Sequence, residues 1–300
     1  MSTSTAVQTP RLGELWPGIT AALSFSGVDI MIKLVYASGM DVLTLVSLRG
    51  ILVVAFMWVW LRMMPPPLPH SSRQRLIALG IGVLFGGTMF GLLKAISLLP
   101  VSIAILAYFA YPVLTGLAGA ITGVDRLRWP ALAAAITAFL GLALMLGAEY
   151  NHLSAIGIAW ALGAAGFRVV SLLMTRAYLN GADARLTTWY SMLPSTALFL
   201  IASAVIGEWH TPQTLTGWAA FVATSAGSTL STLLIYMSTN RVGPFRTAFI
   251  MNLEPLATTI LSMLLLGEAL TPVQALGAAV MLVSLCAFQF VRASPAAMVK

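Results

Sequence analysis

Ten apolar runs follow one another along almost the whole chain, and they constrain its fold more than any other feature. Each run holds about 20 residues, enough for a helix to cross a hydrocarbon core of roughly 30 Å. Of the 300 residues, 59% are hydrophobic and only 8% are charged, against about 25% charged in a typical soluble domain. The chain is therefore predicted to be an all-α polytopic membrane protein with ten transmembrane helices. The predicted spans are 14–36, 42–62, 75–97, 101–122, 129–148, 154–176, 186–206, 214–237, 246–266 and 272–292.

The basic residues between the spans alternate sides. The amino end, the even-numbered loops and the carboxyl end carry 12 of the 16 Lys and Arg residues, and the odd-numbered loops carry none. Cytoplasmic loops are enriched in Lys and Arg, so this alternation predicts a cytoplasmic-membrane protein with both termini in the cytoplasm. The net charge of +7 comes from scattered single residues. Because they form no basic patch, nucleic acid is not an expected partner.

Two stretches of the chain share a spacing between a proline and an acid. Pro112 precedes Asp125 by thirteen residues, and Pro255 precedes Glu268 by the same distance. Each proline lies inside a span and each acid in the following loop. Because each half would contain five helices, an odd number, the two halves are expected to cross the membrane in opposite senses, as in many secondary transporters. The expected parts are a cytoplasmic tail at 1–13, repeats at 14–148 and 154–292, and a cytoplasmic tail at 293–300.

Six ionisable residues fall inside spans, where each needs a partner or a water-filled cavity. They are Asp29, Lys33, Arg49, Lys94, Arg168 and Glu254. Four cations and two anions suit a substrate with a carboxylate better than a dication. Asp29 and Lys33 share a helix face, so they can pair with each other or bind the two charges of an amino acid. The two carboxylates, by contrast, are predicted to lie singly and at different depths.

Polar and aromatic residues at helical spacing are expected to line a cavity. Small residues on spans 3 and 8 permit close approach of helices, and hydroxyl groups cost less free energy inside a membrane than charged groups do. Aromatic rings can stack on a substrate. Packing within the bundle is the alternative role for each of them. The candidate cavity residues are Asp29, Lys33, Phe90, Lys94, Tyr108, Tyr111, Trp160, Arg168, Ser228, Thr232 and Tyr236.

Glu254 and Pro255 predict a break inside span 9. Proline removes one helical hydrogen bond and disfavours helix at the residue before it. A broken helix beside a carboxylate can act as a hinge, or it can be a kink in which Glu254 pairs with Arg168. The candidate hinge residues are Pro112, Asn252, Glu254 and Pro255, and Arg49 is expected to be an anchor between helices.

The chain lacks the usual marks of an enzyme or a cofactor protein. It has no G-x-x-x-x-G-K-[ST] loop for nucleotide phosphates. Its three histidines lie in predicted loops without metal-ligand spacing, and its one cysteine, Cys286, allows no intrachain disulfide. Neither a metal nor another cofactor is therefore expected, and no enzymatic activity.

Motifs in the carboxyl-terminal half resemble the signature of the drug/metabolite transporter superfamily, EamA family, and the first half resembles it more weakly. The residues concerned are Asn252, Glu254, Pro255, Leu265, Leu266, Gly267, Glu268, Thr271, Gln274 and Gly277, with Arg49, Tyr111, Pro112 and Asp125 in the first half. The resemblance implies a ten-helix inverted repeat that exports amino acids or related metabolites, and it is closest to bacterial aromatic amino acid exporters. Span 1 lacks the Trp-Gly pair frequent in the family, and Lys94 replaces a small or apolar residue.

The sequence thus predicts a secondary transporter that exports small amphipathic metabolites, above all aromatic amino acids, by alternating access. Its expected partners are a small-molecule substrate and membrane lipid, and it is expected to be a monomer, with a dimer as the alternative. Rival functions are efflux of cationic drugs or of other amino acids, a channel and, in another class, a polytopic membrane enzyme. The energy source stays open between downhill flow, proton antiport and exchange.

Overall fold

The computed structural model describes residues 12–66, 68–125, 127–147, 154–206, 209–267 and 269–289, and every regular element among them is an α-helix. The helices are α1 (Leu12–Ala37), α2 (Val42–Met63), α3 (Ser72–Ile96), α4 (Val101–Tyr108), α5 (Tyr111–Thr122), α6 (Trp129–Leu146), α7 (Ala155–Tyr178), α8 (Ala184–Ile206), α9 (Leu215–Val242), α10 (Pro244–Ile250), α11 (Leu253–Leu266) and α12 (Pro272–Gln289). The carboxyl-terminal tail, most of the amino-terminal tail and the loop acid Glu268 lie outside the described residues.

All ten predicted spans are helical in the described parts of the chain, with α4 and α5 together forming span 4, and α10 and α11 together forming span 9. Nine of the ten segments are long and apolar enough to cross a membrane, while the apolar stretch of α12, Pro272–Phe288, is shorter. The prediction of a multi-pass membrane protein is thereby confirmed. In chain order, α1 to α6 correspond to α7 to α12, which is the correspondence that the predicted repeat expects.

Helix α9 continues to Val242, five residues beyond the predicted end of span 8 at 237. The added turn is polar, which is why hydropathy ended the span earlier. Its hydroxyls are nevertheless buried and satisfied: Ser238 Oγ lies 2.8 Å from Thr247 Oγ1 on α10, and Thr239 Oγ1 donates to the Ile235 carbonyl at 2.8 Å. Hydrogen bonding to a neighbouring helix therefore sustains a turn that apolarity alone did not predict.

Both prolines of the repeat lie where a span is broken, as predicted. Helix α4 ends at Tyr108 and α5 begins at Tyr111, while α10 ends at Ile250 and α11 begins at Leu253. Pro255 has no N–H for the Met251 carbonyl, which accepts from the Glu254 N–H at 3.0 Å instead. Asn252 Nδ2 donates to the Phe249 carbonyl at 3.0 Å. Each break places the amino terminus of a half-helix, with its partial positive charge, inside the bundle.

The two halves interlock through equivalent pairs of helices. Helix α1 packs along α9. The counterpart of α1 is α7 and that of α9 is α3, and these two helices pack along each other in the same way. In addition, α2 packs on its counterpart α8, and α6 packs on α12. Glycines permit the close approach. A Cβ atom on Gly91 of α3 would lie 3.2 Å from the Trp160 carbonyl oxygen of α7, and one on Gly227 of α9 would lie 2.7 Å from Val28 Cγ2 of α1. A site at the centre is thus built from both halves.

Loops at the two ends of the bundle also connect the halves. At one end the His210 N–H donates to Asp41 Oδ2 at 3.2 Å. Partial burial works against ionisation of Asp41, but the hydrogen bonds it accepts hold the pKa of its carboxyl below the usual value. At the other end Asp183, in the loop equivalent to that of Asp41, pairs with Arg185 at 2.7 Å. Arg185 Nη1 in turn donates to the Met64 carbonyl of the first half at 2.9 Å.

The contact between α6 and α12 predicts a substitution that destabilises the fold. A Cβ on Gly277 would lie 2.4 Å from the Met145 nitrogen and 2.6 Å from the Gly141 carbonyl oxygen. Both distances are shorter than van der Waals contact, and these backbone atoms cannot move away without shifting α6. Gly277→Ala is expected to lower the free energy of unfolding by about 1–3 kcal/mol through overpacking. Gly163→Ala is the matched control, because a Cβ there meets nothing within 4 Å. Thermal unfolding in detergent measures both variants, and equal midpoints would contradict the prediction.

Candidate functional site

Two acidic side chains meet near the break between α10 and α11. Glu254 lies in the first turn of α11, and its carboxyl interacts electrostatically with that of Asp29 on α1. Thr258, one turn further along α11, donates its hydroxyl to Asp29 Oδ2 at 2.8 Å. Ser26 of α1 donates to the backbone carbonyl of Glu254 at 2.9 Å. These two bonds hold α1 against α11 and bring both carboxyl groups into one site.

The prediction that the two carboxylates lie singly is wrong, and the difference in depth between them is only about one helical turn. Position along a single span does not include how α1 and α11 pack against each other. The packing sets Asp29 beside Thr258, so Asp29 lies within one turn of Glu254. Two like charges in a weakly hydrated site repel, so the pair is suited to bind a cation or a proton.

Arg168 of α7 belongs to the same site. Its charge interacts with that of Glu254, and its guanidinium carbon lies 5.9 Å from the centre of the Tyr111 ring. Tyr108 lies beside Tyr111, with ring centres 5.3 Å apart and the ring planes tilted by 39°. The Nε atom of Arg168 is buried without a hydrogen-bond partner among the described residues. An unsatisfied buried N–H is costly, so the site presents a donor to an incoming acceptor such as a carboxylate.

Three predicted hydroxyls of α9 have partners within the bundle. Arg49 Nη1 donates to Ser228 Oγ at 3.3 Å, which joins α2 to α9. Thr232 donates to the Ser228 carbonyl at 2.8 Å within its own helix. Tyr236 is buried and donates to Ser191 Oγ of α8 at 2.9 Å. Tyr236 thus joins α9 to α8, and its hydroxyl also lies within electrostatic range of Arg168.

Four further predicted residues, Phe90, Trp160, Lys33 and Lys94, are exposed. Phe90 and Trp160 form an edge-to-face pair with ring centres 5.6 Å apart, and both are exposed. Lys33 and Lys94 are exposed near the carboxyl ends of α1 and α3. The structure therefore assembles one charged centre from Asp29, Glu254 and Arg168, with Tyr108 and Tyr111 beside it.

Sequence reasoning did not single out the hydroxyls that position this centre. Ser26 and Thr258 join α1 to α11, and Ser191 receives the bond from Tyr236. Of these residues, only Thr258 could have been identified from the sequence, because it follows Glu254 by four residues and therefore shares its helix face. Serines and threonines are frequent in this chain, so their type alone does not identify the few that bridge helices.

Comparison with known proteins agrees with this architecture. The EamA-like transporter family matches the chain twice, over residues 12–147 and 155–288. The threonine/homoserine exporter RhtA of Escherichia coli (strain K12) is 31% identical over 258 residues, covering 83% of this chain and 81% of that protein. The protein of the same name from Salmonella typhimurium (strain SL1344) is 30% identical over 254 residues, covering 82% of this chain and 79% of that one.

One solved structure, described only as "Crystal structure of protein", has the same fold. It superposes with a TM-score of 0.78 and covers 93% of this chain and 98% of its own length at 18% identity. The relatives named above are exporters of threonine and homoserine, so they lend no support to the predicted aromatic preference. The predicted family itself is confirmed by the two matches, one for each predicted half. This chain belongs to the EamA-like transporter family.

Proposed function

We propose that this protein exports amino acids across the cytoplasmic membrane by alternating access of two inverted halves. The observation that carries the proposal is the charged centre, where Asp29 lies beside Thr258, one turn from Glu254, and Arg168 interacts with Glu254. An amino acid has one ammonium and one carboxylate group, and this centre offers partners for both. The names of the two exporter relatives point to the same substrate class.

The charged centre suggests how the substrate is held. The substrate carboxylate would bind Arg168, whose Nε has no hydrogen-bond partner in the part of the chain that the structure describes. It would lie near the amino terminus of α5, which begins at Tyr111. The ammonium group would bind between Asp29 and Glu254. Both sites lie at the broken helices, so a movement of either half-helix would change the substrate's contacts directly.

The inversion of the halves rests on three observations. The equivalent breaks at Pro112 and Pro255, the equivalent helix pairs, and the two matches to one family each support a repeat. Five spans in each half then place the halves in opposite senses. The alternation of Lys and Arg between loops supports cytoplasmic termini.

The substrate side chain divides the proposal into two versions. The relatives favour small hydroxylated amino acids such as threonine. The aromatic version rests on the resemblance noted in the sequence and on the Tyr108–Tyr111 pair. Those rings already lie close to Arg168, so their presence is explained without an aromatic substrate. We therefore favour the first version.

Uptake of labelled threonine into proteoliposomes tests this proposal. We expect uptake above that of empty liposomes, reduced by unlabelled serine and homoserine more than by phenylalanine or tryptophan. Uptake of labelled phenylalanine that tryptophan and tyrosine reduce, with no effect of threonine, would replace the first version by the aromatic one. If folded protein transported neither compound, amino acid export itself would be contradicted, and cationic dyes in the same assay would test drug efflux.

A further inference from the structure

The two ends of the helix bundle differ in how their helices are joined. At the end that carries the arginine-rich loops, one buried cluster connects α3, α7, α8 and α9. Its fully buried members are Ala78, Ile81, Leu179 and Tyr236. At the opposite end two smaller buried clusters lie on different sets of helices. One joins α1, α2 and α9 through Val35, Met40, Leu45, Ala220 and Phe221, and the other joins α3, α4 and α7 through Ala95, Leu99, Ile103, Ala104 and Ala161.

Polar contacts reinforce the joined end. Tyr236 of α9 donates to Ser191 of α8 at 2.9 Å, and both residues are buried. Arg176 of α7 donates to the Asn240 carbonyl of α9. Asn240 Nδ2 returns a bond to the Leu179 carbonyl, just beyond α7, at 3.1 Å. Helix α9 is therefore fastened to both α7 and α8 at this end.

The repeat shows that this fastening is one-sided. Helix α9 contacts both α7 and α8, whereas its counterpart α3 makes no comparable contact with α1 or α2 in the part of the chain that the structure describes. The halves share one helix arrangement, so equivalent pairs should have equivalent contacts if the molecule were symmetric. A transporter that is closed at one end and open at the other has contacts between one set of helices at its closed end. It lacks the equivalent contacts between the counterpart helices at its open end.

We infer that Tyr236, Ser191, Arg176 and Asn240 form the closed cytoplasmic gate of this transporter, and that its opposite, outer end is open toward the charged centre. The inference rests on the proposed transport function, and it takes the cytoplasmic side from the arginine-rich loops. In the inward-facing state α9 separates from α7 and α8, and α3 closes on α1 and α2. Tyr236 thus closes the cytoplasmic side of the charged centre, beside Arg168.

Thiol labelling of single-cysteine proteins tests the gate directly. The exposed native cysteine, Cys286, is first replaced by Ser. Ala78→Cys reports on the gate because Ala78 is fully buried in its cluster. Ile32→Cys reports on the outer end, because Ile32 follows Asp29 by three residues and packs on the outer cluster of α1, α2 and α9. A membrane-impermeant maleimide is applied to inverted vesicles for the first reporter and to right-side-out vesicles for the second.

Slow labelling of Ala78→Cys and ready labelling of Ile32→Cys are expected in the parent protein. Adding Tyr236→Phe should raise the first rate about fivefold, the ratio that one ordinary hydrogen bond produces, and should lower the second. Ser191→Ala removes the acceptor of the same bond and should change both rates in the same directions, so it carries the test if Tyr236→Phe does not fold. Tyr178→Phe is the matched control, since Tyr178 is exposed at the same end, and it should leave both rates unchanged.

Three results would overturn the gate. They are fast labelling of Ala78→Cys in the parent protein, unchanged rates in both gate variants, and labelling of Ala78→Cys only from the opposite membrane face. The measurement needs no substrate. If the labelling follows the expected pattern while no amino acid is transported, the gate stands and only the proposed substrate fails.

Discussion

Replacing Arg168 by Gln is expected to reduce amino acid transport about 100-fold, because the substrate carboxylate would lose a charge-assisted partner in a buried site. Losing one member of a buried charge pair costs about 2–5 kcal/mol, and each 1.4 kcal/mol is about tenfold in affinity. Arg168→Lys keeps the charge but loses the planar guanidinium that lies over Tyr111, so an intermediate loss of about tenfold is expected. Initial rates of uptake over a range of substrate concentrations provide the measurement, and the loss should appear chiefly as a raised KM.

A matched control separates this effect from a general loss of positive charge. Arg73→Gln removes an exposed arginine at the start of α3, outside the charged centre, and should leave transport unchanged. If Arg168→Gln transported as well as Arg73→Gln, with both proteins folded, the assignment of the carboxylate site to Arg168 would be wrong. Equal activity of Arg168→Lys and the parent would show that charge alone, and not the shape of the guanidinium, is used.

The second large effect is expected at the two carboxylates. Glu254→Gln and Asp29→Asn should each reduce transport by about 10- to 100-fold, since each leaves the substrate ammonium with one charged partner instead of two. The double variant should be only slightly worse than the poorer single variant, because residues that act on one ligand are not additive. The same uptake assay measures all three variants, with Glu14→Gln as the control, since Glu14 is exposed at the start of α1.

These variants also address the energy source. Asp29 and Glu254 are the acidic groups of the charged centre, so any proton exchanged there must use them. If both single variants kept the parent's rates and its dependence on pH, the ammonium site and proton coupling at this centre would be contradicted together. Additive losses in the double variant would contradict the shared site and place the two carboxylates on separate ligands.

The helices of this protein follow from local properties of the sequence. Apolar length sets a span, because a helix must cross the hydrocarbon core with its backbone bonds satisfied internally. The breaks in spans 4 and 9 follow from Pro112 and Pro255, since a proline lacks the N–H that the preceding turn requires. These effects act within a few residues along the chain. They could therefore be predicted without knowing which helices are neighbours.

Contacts between helices did not follow in the same way. The extra turn of α9 persists because Ser238 forms a hydrogen bond with Thr247 on another helix. The hydropathy of a segment does not include hydrogen bonds to other helices, so it did not predict this turn. Tyr236 was predicted to line the cavity, and the structure adds a buried partner for its hydroxyl, Ser191 on α8. In both cases the sequence supplied a residue able to hydrogen-bond, and the packing chose its partner.

The sequence by itself determined the membrane class, the ten spans, the two helix breaks and the family, because each depends on residue type and on spacing along one segment. Only the tertiary structure decided that Asp29, Glu254 and Arg168 meet in one centre, and that α9 is fastened at one end while its counterpart α3 is not. Both results depend on how far helices slide and tilt against each other. Side-chain packing and cross-helix hydrogen bonds set that position, and neither is encoded by the periodicity of a single helix.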